Sequence, residues 1–267
     1  QRDGLPASRY DVLLPSEVGF SLPKENLNSD VHMGYDAAVR WTDRVEDFTY
    51  SIGGNITYSR FYDWEQYKPR FSNSWDVYRN SLNHRFGYLN WGLEAIGQFN
   101  SWEEIATYPI DNDRQGNKTL RPGDIKYKDV NGDGIINGSD EVAIGATTKP
   151  NLIYGFGISA QWKGFDFNAH FQGAGKSSFF INGPTVYAFS GSQWGNVLTN
   201  LVKDRYVDAE TAATLGIPAN ENPNAAYPRL SYGGNDNNYR ASTFWLRDGS
   251  YLRLKTLEVG YTLPKSI

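Results

Sequence analysis

Cysteine is absent from the 267 residues, which excludes disulfides, CxxC redox chemistry and thiolate metal sites. Histidine is nearly absent too. His32, His84 and His170 stand far apart, none in an HxxxH or HExxH spacing, so the usual zinc patterns are missing. No apolar run reaches the roughly 18 residues of a spanning helix, and no signal-peptide pattern opens the chain at Gln1. A spanning β-strand escapes that test. A net charge of -4 without a basic run gives no reason to expect nucleic acid. No serine sits in a G-x-S-x-G elbow. Gly53-Gly54 and Gly155-x-Gly157 fall inside strand patterns, where they mark close approach or curvature and not a phosphate loop. Glu103, Glu104, Asp111 and Asp113 have no context that makes them a glycosidase pair. They read as solvated loop acids, and the chain reads as no enzyme.

Aromatic residues and glycine are abundant instead: aromatics make up 15% of the chain, with 18 Tyr, 14 Phe and 8 Trp beside 27 Gly. That mixture suits many strands joined by tight turns. Period-two alternation is sharp in Val31, Met33, Tyr35, Ala37, Val39 and Trp41, and again from Phe48 to Tyr58 after a short polar turn. These predict a hairpin over 31–60. A second hairpin is predicted over 150–173, where Leu152 to Trp162 and Phe165 to Phe171 alternate about a Lys163-Gly164 turn. Between them, 61–149 is a long connection with one short alternating stretch from Tyr88 to Ala95. A second long connection, 174–242, holds a helical spacing of Val197, Leu198, Leu201, Val202 and Tyr206, and its Pro/Asn-rich end from Pro218 to Asn238 reads as loop. A last strand falls within 243–264. Its apolar parity changes between Leu254 and Leu257, so a bulge is expected near Lys255.

The first long connection carries a calcium-loop pattern. Oxygen side chains fall at loop positions 1, 3, 5, 9 and 12, as Asp129, Asn131, Asp133, Asn137 and Asp140, with Gly134 at the sharp turn and the Ile135 carbonyl at position 7. Calcium, a hard cation that takes about six to eight oxygens, is the expected structural ion. The flanking Pro122-Gly123 and Gly145 leave no room for the long helices of an EF-hand. The expected role is a staple on a β scaffold, and the bland alternative is an Asx-turn loop without metal.

Two architectures fit strands with one aromatic and one Ser/Thr/Asn/Gln/Gly face. In a soluble sandwich the apolar faces meet; in an outer-membrane barrel they face lipid. The alternation of very short with very long connections, and aromatics at strand ends (Trp41, Phe48, Tyr58, Trp162, Phe165, Tyr261), favour the barrel. Trp64, Trp75, Tyr78, Trp91, Trp102 and Trp194 form a pool of loop aromatics that could face a sugar ring, though packing the loops is their more ordinary use.

The segment Pro122-Gly123-Asp124-Ile125-Lys126-Tyr127-Lys128-Asp129-Val130-Asn131-Gly132-Asp133-Gly134, with Ile144-Gly145, Pro150 and Tyr154-Gly155-Phe156, resembles the C-terminal barrel region of SusC/RagA-type TonB-dependent outer-membrane transporters. So do Gly164-Phe165-Asp166, Phe171-Gln172-Gly173-Ala174-Gly175, Asn222-Pro223-Asn224-Ala225-Ala226-Tyr227-Pro228-Arg229-Leu230 and Asp248-Gly249-Ser250-Tyr251-Leu252-Arg253-Leu254-Lys255, in the family's order, from about Val31 to Pro264. The resemblance implies an all-β, antiparallel transmembrane barrel segment with long extracellular loops, located in the cell outer membrane. It implies import of oligosaccharides, or in some members peptides, with a SusD-like surface lipoprotein and the TonB-ExbB-ExbD complex acting through a plug. No plug, TonB box or closing terminal strand is present, and about five spanning strands cannot close a barrel. The expectation is therefore a piece of an importer. The alternative is a secreted, calcium-stabilised β-sandwich that binds carbohydrate.

Overall fold

A computed structural model describes residues 1–9, 14–67, 71–190 and 197–263. In chain order the strands are β1 (Arg2–Ala7), β2 (Glu25–Val45), β3 (Phe48–Glu65), β4 (Arg85–Phe86), β5 (Asn90–Gly92), β6 (Ala95–Gln98), β7 (Ile125–Tyr127), β8 (Val142–Ile144), β9 (Leu152–Trp162), β10 (Phe165–Gly175), β11 (Ser178–Phe180), β12 (Leu246–Asp248) and β13 (Tyr251–Tyr261). Among the described residues four short α-helices intervene: α1 (Ser74–Asn80), α2 (Trp102–Thr107), α3 (Thr199–Asp204) and α4 (Ala209–Leu215). The chain divides into two compact units, one of Gln1–Leu89, Ala146–Ser178 and Asp248–Ile267, the other of Asn90–Gly145 and Phe179–Arg247.

The first unit is one antiparallel sheet in the order β1-β2-β3-β9-β10-β13, with β4 beside β3. Every neighbouring pair in the spanning part is antiparallel, and β3 pairs directly with β9 although 86 residues separate Glu65 from Leu152 in the sequence. Register carries the alternation from strand to strand. Val39, Gly54, Phe156, Phe171 and Leu254 form one continuous row, and Arg40, Gly53, Gly157, His170 and Thr256 form the row behind it on the other face. The pairing slips once, between His170 and Phe171, which face Thr256 and Leu254 and leave Lys255 as an extra residue. That bulge returns Leu252 and Leu254 to the face of Leu257 and Val259.

At one end the strands are joined by tight turns. Lys163 and Gly164 both have positive φ, 46° and 90°, as a two-residue hairpin turn matched to strand twist requires. At the other end β3, β9, β10 and β13 open into the two long connections.

The second unit is built from those connections. Its pairs are short, β5 with β8 and β6 with β7, around a core of Leu93, Ile125, Tyr127, Ile136 and Trp245. A smaller cluster joins Phe99, Ile105 and Leu120. The alternation from Tyr88 to Ala95 does not make one strand. Leu93 breaks it by exchanging backbone hydrogen bonds with Ala241 and Thr243 at 2.9 and 3.0 Å, so β5 ends and β6 begins in a new direction. The helical spacing from Val197 to Tyr206 shrinks to α3, with Leu201 buried inside it and Tyr206 buried beyond it.

Three helices have cap signals that hydrophobic spacing does not reveal. Asn73, Ser101 and Asp208 each accept the backbone N–H three residues on, from Asp76, Glu104 and Thr211. At α2, Glu104 also accepts the Asn100 N–H at 2.8 Å.

Candidate functional site

Chemistry in the first unit is divided between the two faces of the sheet. One face exposes Tyr35, Val39, Trp41, Ile52, Ile56, Phe156, Ile158, Phe167, Leu254, Leu257 and Val259; Val39 is 74% and Val259 75% exposed. No second sheet covers it among the described residues. An apolar surface of this breadth demands an apolar partner, and the sandwich alternative, which needs an opposing sheet, is not the architecture found. The end of this face nearest the tight turns is aromatic: Phe48, Trp162, Phe165 and Tyr261 share one row, with the Phe165 and Tyr261 rings 4.5 Å apart.

The opposite face is a hydrogen-bonded polar lining. Arg40 donates from Nε to Ser51 Oγ at 2.9 Å, Asn168 donates to Glu258 at 3.1 Å, and Arg253 donates to Gln172 at 3.1 Å. His170 lies in this lining beside Gly157. His32 and His84 pack edge-on against Phe61 and Trp64, so the three histidines assemble no common site.

The second unit is organised about Asp124, only 1% exposed. Its carboxylate is ion-paired with Arg229 at 2.7 Å and accepts hydrogen bonds from Asn235 Nδ2, Asn238 Nδ2 and the Arg121 N–H, at 3.0, 2.8 and 2.8 Å. Strand β7 pairs with β6 along one edge only. On the other, side-chain amides take the place of a strand: Ile125 N–H donates to Asn238 Oδ1, Tyr127 N–H donates to Asn112 Oδ1, and Asn112 and Asn237 both donate to the Ile125 carbonyl. Buried backbone groups must be paired, and these asparagines do it. Trp245 and Tyr127 close the network by donating to the Asn238 and Asn237 carbonyls at 2.6 and 2.8 Å. Burial pushes the Tyr127 hydroxyl far above its ordinary range and raises Tyr239 to about 12.

Three of the four acids singled out from the sequence serve this scaffold, Asp111 by accepting the Gln115 N–H at 3.0 Å, while Glu103 is exposed. Glu104 caps α2 and pairs with Lys126. Burial pushes the Asp113 carboxyl up, but the Thr119 hydroxyl and the N–H groups of Thr119, Gln115 and Asn117 outweigh that and hold it at about 2. Of the aromatic pool, Trp102 is 55% and Trp64 46% exposed, while Trp194 lies outside the described residues. Trp102 lines a cleft of about 540 Å³ with Arg121, Arg205 and Arg229. A second cleft, of about 350 Å³, holds Arg114, Arg229, Arg240, Asp113, Asp236 and Asn235. Arg229, Asn235 and Asn237 come from the Pro218–Asn238 stretch, which is legible only as loop, and Arg114 and Arg121 come from the first long connection.

The calcium-like loop folds tightly around its own oxygens, with Gly134 at φ 82° in the sharp turn. Asn131, Asp133, Ile135 and Asn137 converge: Asn131 Nδ2 donates to Asp133 Oδ2 at 2.9 Å, and Asn137 Nδ2 donates to the Ile135 carbonyl at 3.2 Å. Asp129 instead accepts the Gly132 and Gly134 N–H groups, and the fully buried Asp140 accepts those of Val130, Asn131 and Asn137. Among the described residues no three acidic or histidine side chains stand together as a metal-holding group. Seating a cation here requires the Asn131 and Asn137 amides to turn their oxygens inward.

No protein-family model matches the chain. Its sequence is 27% identical over 263 residues to the TonB-dependent receptor P3 of Formosa agariphila, covering 95% of this chain and 24% of that protein. The receptor P26 of the same organism is 24% identical over 261 residues, with the same coverage of each. In sequence and in fold, this chain is TonB-dependent-receptor-like. The RagAB peptide transporter superposes with a TM-score of 0.58 at 19% identity, covering 96% of this chain and 26% of its own. The RagAB importer in its open-open state gives 0.60 at 20% identity, covering 99% and 25%. The fold is therefore that of part of a TonB-dependent transporter barrel, and the chain spans about a quarter of the length of the curated relatives it matches.

Proposed function

We propose that this chain supplies five adjacent wall strands and two folded outer loops of an outer-membrane importer. The observation that carries the reading is the alternation through β2, β3, β9, β10 and β13, whose one phase change in β13 is corrected by the bulge at Lys255: one face is apolar and exposed and the other polar and hydrogen-bonded, from strand to strand. Lipid takes the apolar face and the aromatic row sits at a membrane interface. The strands β9, β10 and β13, each 11 residues long, match a tilted crossing of about 9 to 11 residues. The polar face lines a wet lumen. The chain's own part is structural and recognitive, with no catalytic step. Oligosaccharides or peptides are the cargo class, a SusD-like lipoprotein caps the outer side, and TonB drives the cycle through a plug.

Substitution on adjacent residues of β2 tests this in the full-length receptor. Val39→Arg places a cation midway along the lipid face and is expected to cost roughly 2 to 4 kcal/mol of assembly. Ala38→Arg faces the lumen and is tolerated. Heat-modifiable gel mobility of the outer-membrane fraction reads both, and equal behaviour of the two would sink the assignment of faces.

Within the same reading, calcium is a structural ion at Asp129, Asn131, Asp133, Ile135, Asn137 and Asp140, reducing the ordering cost of a long loop. Asp129→Ala with Asp133→Ala should abolish calcium binding and loosen residues 121–145 while the sheet persists. A calcium titration unchanged by the double substitution removes the ion from the account.

A further inference from the structure

The β2–β3 hairpin outruns the strands beside it. Strand β9 begins at Leu152, opposite Tyr58, and β3 continues past that rung to Glu65, roughly 20 Å of extended chain. The apolar face changes character there. Tyr35 and Tyr58, stacked 5.4 Å apart, close the band that holds Val39 and Ile56, and Arg60, Tyr62 and Trp64 follow at alternate positions of β3. Phe86 packs edge-on to Tyr62 at 5.0 Å, and His84 edge-on to Trp64 at 5.4 Å.

Charge on this flank has one sign. Arg60 stacks on Phe86, 3.6 Å from the ring centre, and Lys176 Nζ stands 5.2 Å from the centre of the Tyr58 ring. Among the described residues neither side chain has a carboxylate within ion-pair distance, and Arg60 Nε is buried without a hydrogen-bond partner. The acids of the hairpin are turned the other way. Asp63 and Glu65 alternate with Tyr62 and Trp64 and so point to the opposite face. Asp30 and Asp36 share that opposite face, where Asp30 is ion-paired with Arg2 and Asp36 accepts the Thr57 hydroxyl.

An acyl chain needs neither cations nor open aromatic rings, so this flank calls for a different part of the same surroundings. Rings offer faces to a sugar, and cations offer donors to phosphate oxygens. Their place directly beyond an apolar band is that of a headgroup beyond its acyl chains. We propose that this flank binds an acylated sugar phosphate of the outer leaflet, its phosphate at Arg60 and Lys176 and its sugar against Tyr62 and Trp64. The site rests on the lipid-facing assignment made above.

The test is isothermal titration of the full-length receptor in detergent with lipid A, an acylated and phosphorylated glucosamine disaccharide, in mixed micelles. Arg60→Gln and Lys176→Gln are each expected to weaken binding about fivefold, and their combination about twenty-five-fold. Trp64→Ala should cost about fivefold for lipid A and nothing for phosphatidylglycerol, which has a phosphate and no sugar. Lys176 is exposed, so its variant stays informative if loss of Arg60 disturbs Phe86. No binding of lipid A, an unaffected Lys176→Gln variant, or the same response of both lipids to Trp64→Ala would each overturn the proposal. So would a change of oligomeric state in these variants without loss of lipid binding, which would give the flank to a second copy of the receptor. Equal behaviour of Val39→Arg and Ala38→Arg removes the lipid face and this site with it; if those two differ as expected, failure to bind lipid A removes the site alone.

Discussion

The sheet and the loop-built unit reach order by opposite routes. In the sheet each strand announces its own two faces, and partners follow from register: seventeen β2–β3 pairs hold with a single shift at Ser29/Asp30. In the second unit the decisive bonds join residues 105, 111 and 114 positions apart, from Asp124 to Arg229, Asn235 and Asn238. The difference is one of solvent as well as pattern. A strand with one apolar and one polar face is sorted by hydropathy alone, residue by residue. A folded loop with few paired strands must satisfy its backbone with side chains, and asparagine, which reads as loop in a sequence, becomes the core material.

The largest expected effect breaks the second route while sparing the first. Asp124→Ala leaves the Arg229 charge half-buried without a partner and removes an acceptor from the half-buried Asn235 and the buried Asn238. A loss of roughly 3 to 5 kcal/mol is expected for a broken buried pair. Hydrogen exchange should show the amides of Ile125 and Tyr127 exposed and those of β9 and β10 still protected. If both sets lose protection together, the two units are one cooperative structure and the contrast fails.

A smaller effect sharpens it through pH. The Asp113 carboxyl titrates at about 2 in the folded chain against an ordinary 3.8. Its folded value is depressed, so its contribution is complete above about pH 4 and is lost as pH falls towards 2. The shift corresponds to about 2 kcal/mol. Asp113→Asn should remove that stability at neutral pH and flatten the acid dependence of the second unit, followed by proteolysis of 111–121 between pH 5 and pH 2. An acid profile identical to the parent would assign the transition to other carboxylates.

The same contrast explains what the sequence could say. Alternation located β2, β3, β9, β10 and β13, and the parity change located Lys255, because in each case the signal lies within one strand. The run Tyr88 to Ala95 misled because Leu93 is captured by Ala241 and Thr243, about 150 residues away. The spacing Ser101-Trp102-Glu103-Glu104, in which Ser101 accepts the Glu104 N–H and Glu104 accepts the Asn100 N–H, is local and was available as a helix signal. Nothing local distinguishes Asn112, Asn237 or Asn238 from the other asparagines of the chain.

The smallest expected effect tests whether local pattern alone is sufficient in the sheet. Lys255 is the one residue of β13 without a partner opposite it, lying between Leu254, which faces Phe171, and Thr256, which faces His170. Deleting Lys255 brings Leu252, Leu254, Leu257 and Val259 into unbroken alternation and keeps every existing pair to β10. A change of about 1 kcal/mol or less is expected. Deleting Asn168 from the middle of β10 instead carries Phe165 and Phe167 to the polar face, or Ala169 and Phe171, because a one-residue slip reverses every side chain beyond it. Outer-membrane assembly of the two deletions should therefore differ sharply. If loss of Lys255 is as damaging as loss of Asn168, the bulge does more than correct the phase of the strand, and the sheet too depends on a feature that no alternation reveals.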